Sequence, residues 1–266
     1  EERPLLESIR SKARAEGEEM RQRRDIVVRD RNGLSGLKRI SFGIRRGEIV
    51  GITGVAGEAQ RLLAEVIGGQ KRADSGQLIY RGRDITRLDA ARRFELGIRY
   101  ITADRMEEGC IRDMTLSDNS ILQSYYQPPF SRCGILKPLQ IYSFANDLIR
   151  RFAIRVAGPE ANVGTLSGGN IQKLILGRSM HGKPELLICS NPTNGLDAKT
   201  VRFIQNLLKE ESRQGTAVLL ITSDLDELLK CSQRIGVLFN GAIIGLMDRQ
   251  HVTTDKVGKL MLGIRG

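Results

Sequence analysis

The chain has 266 residues, 40% of them hydrophobic, enough for one large domain or a core with an inserted subdomain, which excludes wholesale disorder. Aromatic residues make up only 5% and there is no Trp, so no base-stacking surface for nucleic acid is suggested. The net charge of +11, from 42 basic and 31 acidic residues, is compatible with a polyanion ligand, an anionic membrane surface or nucleic acid, and equally with none of them.

Residues 1–24 are rich in Glu and Arg and poor in apolar side chains, which reads as a solvated helix or linker. Core-like sequence begins near Asp25. Ile26-Val27-Val28 and Ile40–Ile44 read as short strands of a small sheet. Gly47-Glu48 then turns the chain into the apolar strand Ile49–Ile52. After a glycine turn, Leu62, Leu63, Val66 and Ile67 are spaced as one helix face over Gln60–Ile67. Leu78–Tyr80 reads as a strand, Ala90–Leu96 as a helix and Ile98–Ile101 as a strand.

From Asp104 to Gly164 strand signals are sparse, and helical patterns appear at Ser117–Ser124 and Leu139–Phe152. Alternation returns with the strand Leu186–Cys189, the helix Val201–Glu211, the strand Ala217–Ile221 and the helix Leu225–Leu229. Ile235–Phe239 and Ala242–Leu246 flank Asn240-Gly241, a strong hairpin signal. The pattern implies an α/β fold: a mainly parallel sheet with flanking helices, a small antiparallel β-subdomain and an inserted helical subdomain. The expected division is a charged extension over 1–24, a core over 25–104 and 181–266, and a helical subdomain over 105–180.

Cys110, Cys133, Cys189 and Cys231 are widely spaced, and His181 and His251 lack partners at metal-ligand spacing, so neither a zinc site nor a disulfide frame is indicated. No metal ligands are assigned. No run approaches the length of a membrane-spanning helix, and the N-terminus lacks a signal-peptide core. The reading is a soluble chain of a reducing compartment, with any membrane role supplied by a partner.

The stretch most suggestive of chemistry is Leu166-Ser167-Gly168-Gly169-Asn170-Ile171-Gln172-Lys173, a glycine turn opening into a helix. Ser167 is placed to cap that helix, whose free N–H groups make an anion site. A plain cap is the commoner use of such a turn. A second glycine turn, Gly54–Arg61, stands between a buried strand and a helix, where the phosphate-binding pattern is GxxxxGK[ST]. Gly54 and Gly57 fit a loop of backbone N–H donors, but Ala59 stands at the second motif glycine, Gln60 at the lysine and Arg61 at the metal-binding hydroxyl.

Leu186–Cys189 is a strand of the kind that ends in two carboxylates, one for magnesium and one to polarise water; Ser190-Asn191 stands there instead. Neither side chain is a general base near neutral pH. Asp197, at the end of Pro192-Thr-Asn-Gly-Leu-Asp197, reads as the N-cap of the following helix or as a residue facing a partner. Ser223 follows the strand Ala217–Thr222, and Ala103 lies in Tyr100-Ile-Thr-Ala-Asp-Arg105.

From about Asp25 onward these segments resemble an ATP-binding-cassette (ABC) ATPase with a P-loop NTPase core. Within that family the chain is most similar to the second cassette of the fused two-cassette ATPases of simple-sugar and nucleoside importers. The resemblance rests on GEIVGITGVAGEAQ, YITADR, LSGGNIQK, NPTNGLD and ITSDLDELLKCSQRIGVLFNG. It makes Ser223 the stand-in for a switch histidine and Ala103 that for a glutamine, and the Ser190-Asn191 pair resembles the nucleoside branch. No aromatic residue ahead of Gly47 is well placed to stack on adenine.

The resemblance implies that cassettes pair head to tail, so that Ser167, Gly168, Gly169 and Asn170 face ATP held by a partner cassette, with Mg²⁺ held mainly by that partner. Asp197 would lie at the interface. Gly54, Gly57, Gln60 and Arg61 would form a weak loop of this chain's own, and Gln60, Ser190, Asn191 and Ser223 would leave it hydrolytically inert. The implied partners are an intact cassette fused upstream, membrane permease subunits and, indirectly, a solute-binding protein, at the cytoplasmic face of the membrane. Nucleic acid is not an expected partner. The alternatives are a soluble relative acting on nucleic acid or ribosomes, and a non-catalytic regulatory remnant.

Overall fold

A computed structural model describes residues 19–29, 35–55 and 57–264. Most of the expected charged extension, residues 1–18, lies outside the described residues. Its last part does not continue as helix or linker: β1 spans Glu19–Arg29 and pairs antiparallel with β2, Ser35–Arg45, in the register Glu19↔Arg45. Pairing across the ribbon fixes these charged residues in a strand that composition alone does not signal. Ile26, Val28, Leu37, Ile40 and Ile44 are buried, while Asp25, Arg29, Lys38 and Arg39 are exposed.

The centre is a six-stranded sheet in the order β12–β11–β3–β10–β9–β6. Its strands are β3 (Ile49–Gly54), β6 (Ile98–Ile101), β9 (Leu186–Ser190), β10 (Ala217–Ile221), β11 (Arg234–Phe239) and β12 (Ala242–Asp248). All neighbours are parallel except β11 and β12, joined by the expected Asn240-Gly241 turn with φ of 46° and 80°. β4 (Ile79–Tyr80) and β5 (Arg83–Asp84) form a minimal hairpin beside β1.

Both faces of the sheet are apolar, as a helix-covered parallel sheet requires. Alternation divides each strand between two cores. Val50, Ile52, Ile188, Leu219 and Ile221 pack with Leu62, Leu63, Val66 and Ile67 of α1 (Glu58–Gly68) and with the β1–β2 ribbon. Ile49, Leu187, Cys189, Val218 and Leu220 pack on the other face with Ile204 and Leu208 of α6 (Ala198–Arg213) and with Ile171, Leu174 and Ile175 of α5 (Gly168–Ser179). The shorter α2 (Ala90–Glu95) precedes β6, and α7 (Leu225–Cys231) precedes β11.

Between β6 and β9 lie α3 (Leu116–Ser120), a two-residue-per-strand hairpin of β7 (Ser131–Arg132) and β8 (Ile135–Leu136), α4 (Pro138–Arg151) and α5. Helix α3 is shorter than the expected Ser117–Ser124, and the hairpin was not expected. A last helix, α8 (Thr254–Met261), also unexpected, packs Val257 and Leu260 against Ile235 and Val237. No helix among the described residues is long and apolar enough to cross a membrane.

Candidate functional site: two loop clusters

The register places Ile221 level with both Ile52 and Ser190, so the chain leaves β3, β9 and β10 side by side at one sheet edge. This carboxyl edge of a parallel sheet is where α/β folds bind ligands. Gly54 belongs there for packing reasons: a Cβ on it would stand 2.3 Å from the Leu238 carbonyl oxygen of β11. Gly57 is the N-cap residue of α1 and supplies no side-chain cap.

The loop that follows is turned on itself. Gln60 is buried, and its Nε2 donates to the Gly54 carbonyl oxygen at 3.2 Å. Arg61 lies along its own helix, donating to Glu65 at 2.9 Å with Glu58 at 3.6 Å, and so is occupied by carboxylates instead of reaching across the turn. The Ala59 methyl packs against the apolar cluster that contains Leu62 and Leu63.

Asn191 is likewise bonded within the chain, and Ser190 beside it is buried, at 2% exposure. Asn191 adopts φ of 43°, its N–H donates to the Ile221 carbonyl at 2.7 Å, and its Oδ1 accepts the Ser223 backbone N–H at 3.1 Å. The structure thus brings two of the expected positions into direct contact: Asn191 is tied to Ser223, and strand β9 to the loop after β10. Beneath them Glu227 is fully buried and takes the Thr222 hydroxyl at 2.8 Å, leaving Oε1 without a partner. Burial pushes its carboxyl above the usual 4.5, against the opposing hydrogen bonds from Thr222 and Thr193.

The second cluster is the turn into α5, and it has the opposite character. Ser167 occupies the N-cap position, but its hydroxyl makes no cap bond to the helix. Instead Ser167 Oγ accepts from Asn170 Nδ2 at 3.0 Å, while Asn170 Oδ1 accepts the Arg155 N–H at 2.9 Å. The expected cap is corrected: Asn170, held from the other side by Arg155, competes for the serine oxygen. A hydroxyl that accepts in this way keeps its own hydrogen to donate. The Gly168 and Gly169 N–H groups have no acceptor among the described residues. Three donors therefore converge at the N-terminus of a 12-residue helix with no acidic residue in its first turn.

Asp197 lies beside this turn, its Oδ2 3.7 Å from where a Gly169 Cβ would stand. It caps α6 by accepting from the Lys199 and Thr200 N–H groups, both at 3.0 Å, and from the Thr200 hydroxyl at 2.7 Å. The Thr200 hydrogen bond holds its carboxyl below the usual range. A groove of about 490 Å³ runs from Ser167, Gly169 and Asn170 past Arg155, Lys173 and Lys199. Lys173 is lowered first by desolvation and then by the positive charges of Arg155 and Lys199. Arg105, across the turn from this groove, carries no role in the sequence reading; only the folded chain sets it against Gly168. The clusters are linked through the segment between them: Arg105 Nη1 donates to the Asn194 carbonyl at 2.8 Å and the Asn194 N–H donates to the Asn191 carbonyl at 3.2 Å, while Ala103, after β6, is exposed.

Comparison with known proteins gives one family model, described as ABC transporter, matching residues 37–194. The guanosine import ATP-binding protein NupO of Bacillus subtilis is 38% identical over 238 residues, covering 90% of this chain and 47% of its own length. The nucleoside import ATP-binding protein NupA of Lactococcus lactis is 37% identical over 240 residues, again 90% and 47%. The ribose import ATP-binding protein RbsA of the same species is 32% identical, at 90% and 49%. The chain spans about half the length of these curated relatives.

Among solved structures, the ATP-binding cassette MJ1267 of an ABC transporter superposes with a TM-score of 0.76 at 22% identity, covering 92% of this chain and 98% of that one. The cassette MJ0796, in a dimeric post-hydrolysis state bound to ADP and Pi, gives 0.72 at 19% identity, covering 88% and 99%.

Proposed function

The chain belongs to the ABC transporter ATP-binding family, and on that premise we propose that it is the signature-bearing half of a paired cassette whose own nucleotide loop does not hydrolyse ATP. The observation that carries this reading is the contrast between the two clusters. At the α5 turn, two backbone N–H groups and one hydroxyl hydrogen are open to an anion. At the sheet edge, Gln60 bonds its own loop, Arg61 is paired with Glu58 and Glu65, and Asn191 is bonded to Ser223.

The α5 turn fits a phosphate; the sheet edge does not fit a magnesium–phosphate complex, because no carboxylate stands at Ser190 or Asn191 and no lysine at Gln60. A partner cassette would supply the magnesium-bound nucleotide and the water-activating base. This chain's part is to bind and orient: Ser167 donates its hydroxyl hydrogen, and Gly168 and Gly169 donate their N–H groups, to the terminal phosphate. Donors fixed before the reaction stabilise the charge that spreads over that phosphate as the bond to its leaving oxygen loosens. Asp197, beside Gly169, faces the same interface.

In this reading residues 25–104 and 181–266 form the nucleotide core and 105–180 the helical subdomain carrying the signature turn. The nucleoside importers among the relatives, together with Ser190-Asn191, support a nucleoside as the solute class, with a simple sugar next. Permease subunits would hold the chain at the inner face of the membrane, with a solute-binding protein completing the system.

In the assembled pair, Ser167→Arg should remove ATP hydrolysis while ATP still binds the partner cassette at wild-type affinity. The isolated chain should hydrolyse nothing above background. Wild-type turnover by the Ser167→Arg pair, or transporter-like turnover by the isolated chain, would each defeat the reading.

A further inference from the structure

Through the one side chain of Arg105 the turn after β6 meets the α5 turn and the segment between Asn191 and Asp197. Its Nη1 donates to the Asn194 carbonyl at 2.8 Å. A Cβ on Gly168 would lie 3.1 Å from both its Nε and its Nη2, and one on Gly195 3.5 Å from Nη2. The guanidinium is therefore laid against the bare backbone of Gly168, one of the two glycines whose N–H groups are open.

Among the described residues Arg105 forms no ion pair, and its Nε and Nη2 have no acceptor. Asp104 Oδ1 takes the N–H groups of Met106 and Glu107, at 3.1 and 3.0 Å, and so closes the turn that carries Arg105. Glu108 takes the Thr102 hydroxyl, and Asp197 caps α6. The backbone of this turn is also fixed, since the Glu108 and Gly109 N–H groups both donate to the Asp104 carbonyl at 3.1 Å. A cation set beside open N–H groups suits the charge of a phosphate.

We infer that Arg105 is a fourth element of the anion site at the α5 turn, a fixed cation that reaches the terminal phosphate of the nucleotide held by the partner cassette. The inference rests on the proposed pairing and adds to it a charge that serine and glycine donors cannot supply. A methyl at residue 168 would press on the guanidinium, which would have to give by a few tenths of an ångström.

The test uses the assembled pair with wild-type chain, Arg105→Gln, Arg105→Lys and, as a control, Ser167→Arg. Two readouts are followed, ATP turnover and retention of radiolabelled ADP trapped with vanadate, with thermal melting to verify folding. Arg105→Gln should lower kcat by roughly 10²-fold, the scale of one preorganised donor. KM should change little and vanadate trapping should be lost. Arg105→Lys should recover most of both, because it keeps the charge.

If Arg105→Gln melts like the wild type yet keeps turnover and trapping within twofold, the inference is overturned. The same holds if Arg105→Lys, properly folded, is as inactive as Arg105→Gln, since the side chain would then act only by holding the Asn194 carbonyl. Should Arg105→Gln not fold, the Arg105→Lys result decides alone. A Ser167→Arg pair that still turns over would instead remove the pairing on which the inference stands.

Discussion

At the scale of single residues, Asn191 ties the end of β9 to the loop after β10. Its φ of 43° is one that Asn tolerates and most residues do not, and its Oδ1 holds the Ser223 N–H. Asn191→Ala should therefore cost about 1–2 kcal/mol, from the left-handed backbone and the unpaired N–H together. Asn191→Gly should cost less, because glycine relieves the backbone part. Chemical denaturation of the two variants checks the order; an alanine variant at least as stable as the glycine one contradicts it. That Gln60, Ser190, Asn191 and Ser223 stand at or just beyond the ends of β3, β9 and β10 was legible in the sequence, because those strands are continuous apolar runs. The bond between Asn191 and Ser223 was not, since 32 residues separate them. Nor was the true partner of the Ser167 hydroxyl, which a side chain of its own turn takes from the backbone.

At the scale of elements, the parallel strands could be read because they are apolar on both faces, and α1 and α6 because their buried residues repeat with helical spacing. The β7–β8 hairpin could not: each strand has two residues, and its turn is Cys133-Gly134, with φ of 52° and 78°, without the usual Asn-Gly. Helix α8 has only Val257 and Leu260 buried, too few to show a period. Helix α7 carries a fully buried carboxyl, Glu227, and this gives a dependence on pH. Its folded-state pKa is raised above 4.5, so the folded chain holds this proton where the unfolded chain has released it. The carboxyl therefore subtracts stability progressively as pH rises from about 4.5 to its folded value. Glu227→Gln should raise the melting temperature relative to wild type at pH 7 to 8, with the difference shrinking towards pH 4. A difference that grows on acidification would contradict the assignment.

At the scale of the whole molecule, the fold sets two loop clusters apart and gives them unequal chemistry. At the sheet edge Gln60 and Asn191 bond within the chain, while the α5 turn leaves donors open and sets a guanidinium beside them. The turn itself was legible from LSGGN, but its openness was not, because which N–H groups lack acceptors depends on the neighbouring segments 102–109 and 191–197. The central claim is that this open turn completes a nucleotide site belonging to another cassette. It is tested most directly by loading the assembled pair with an ATP analogue carrying a photoreactive group on its γ-phosphate, irradiating, and mapping the labelled peptide. Label within Ser167–Asn170 of this chain, absent when the chain is irradiated alone, is the expected result; label in Gly54–Arg61, or none on this chain in the pair, would contradict it.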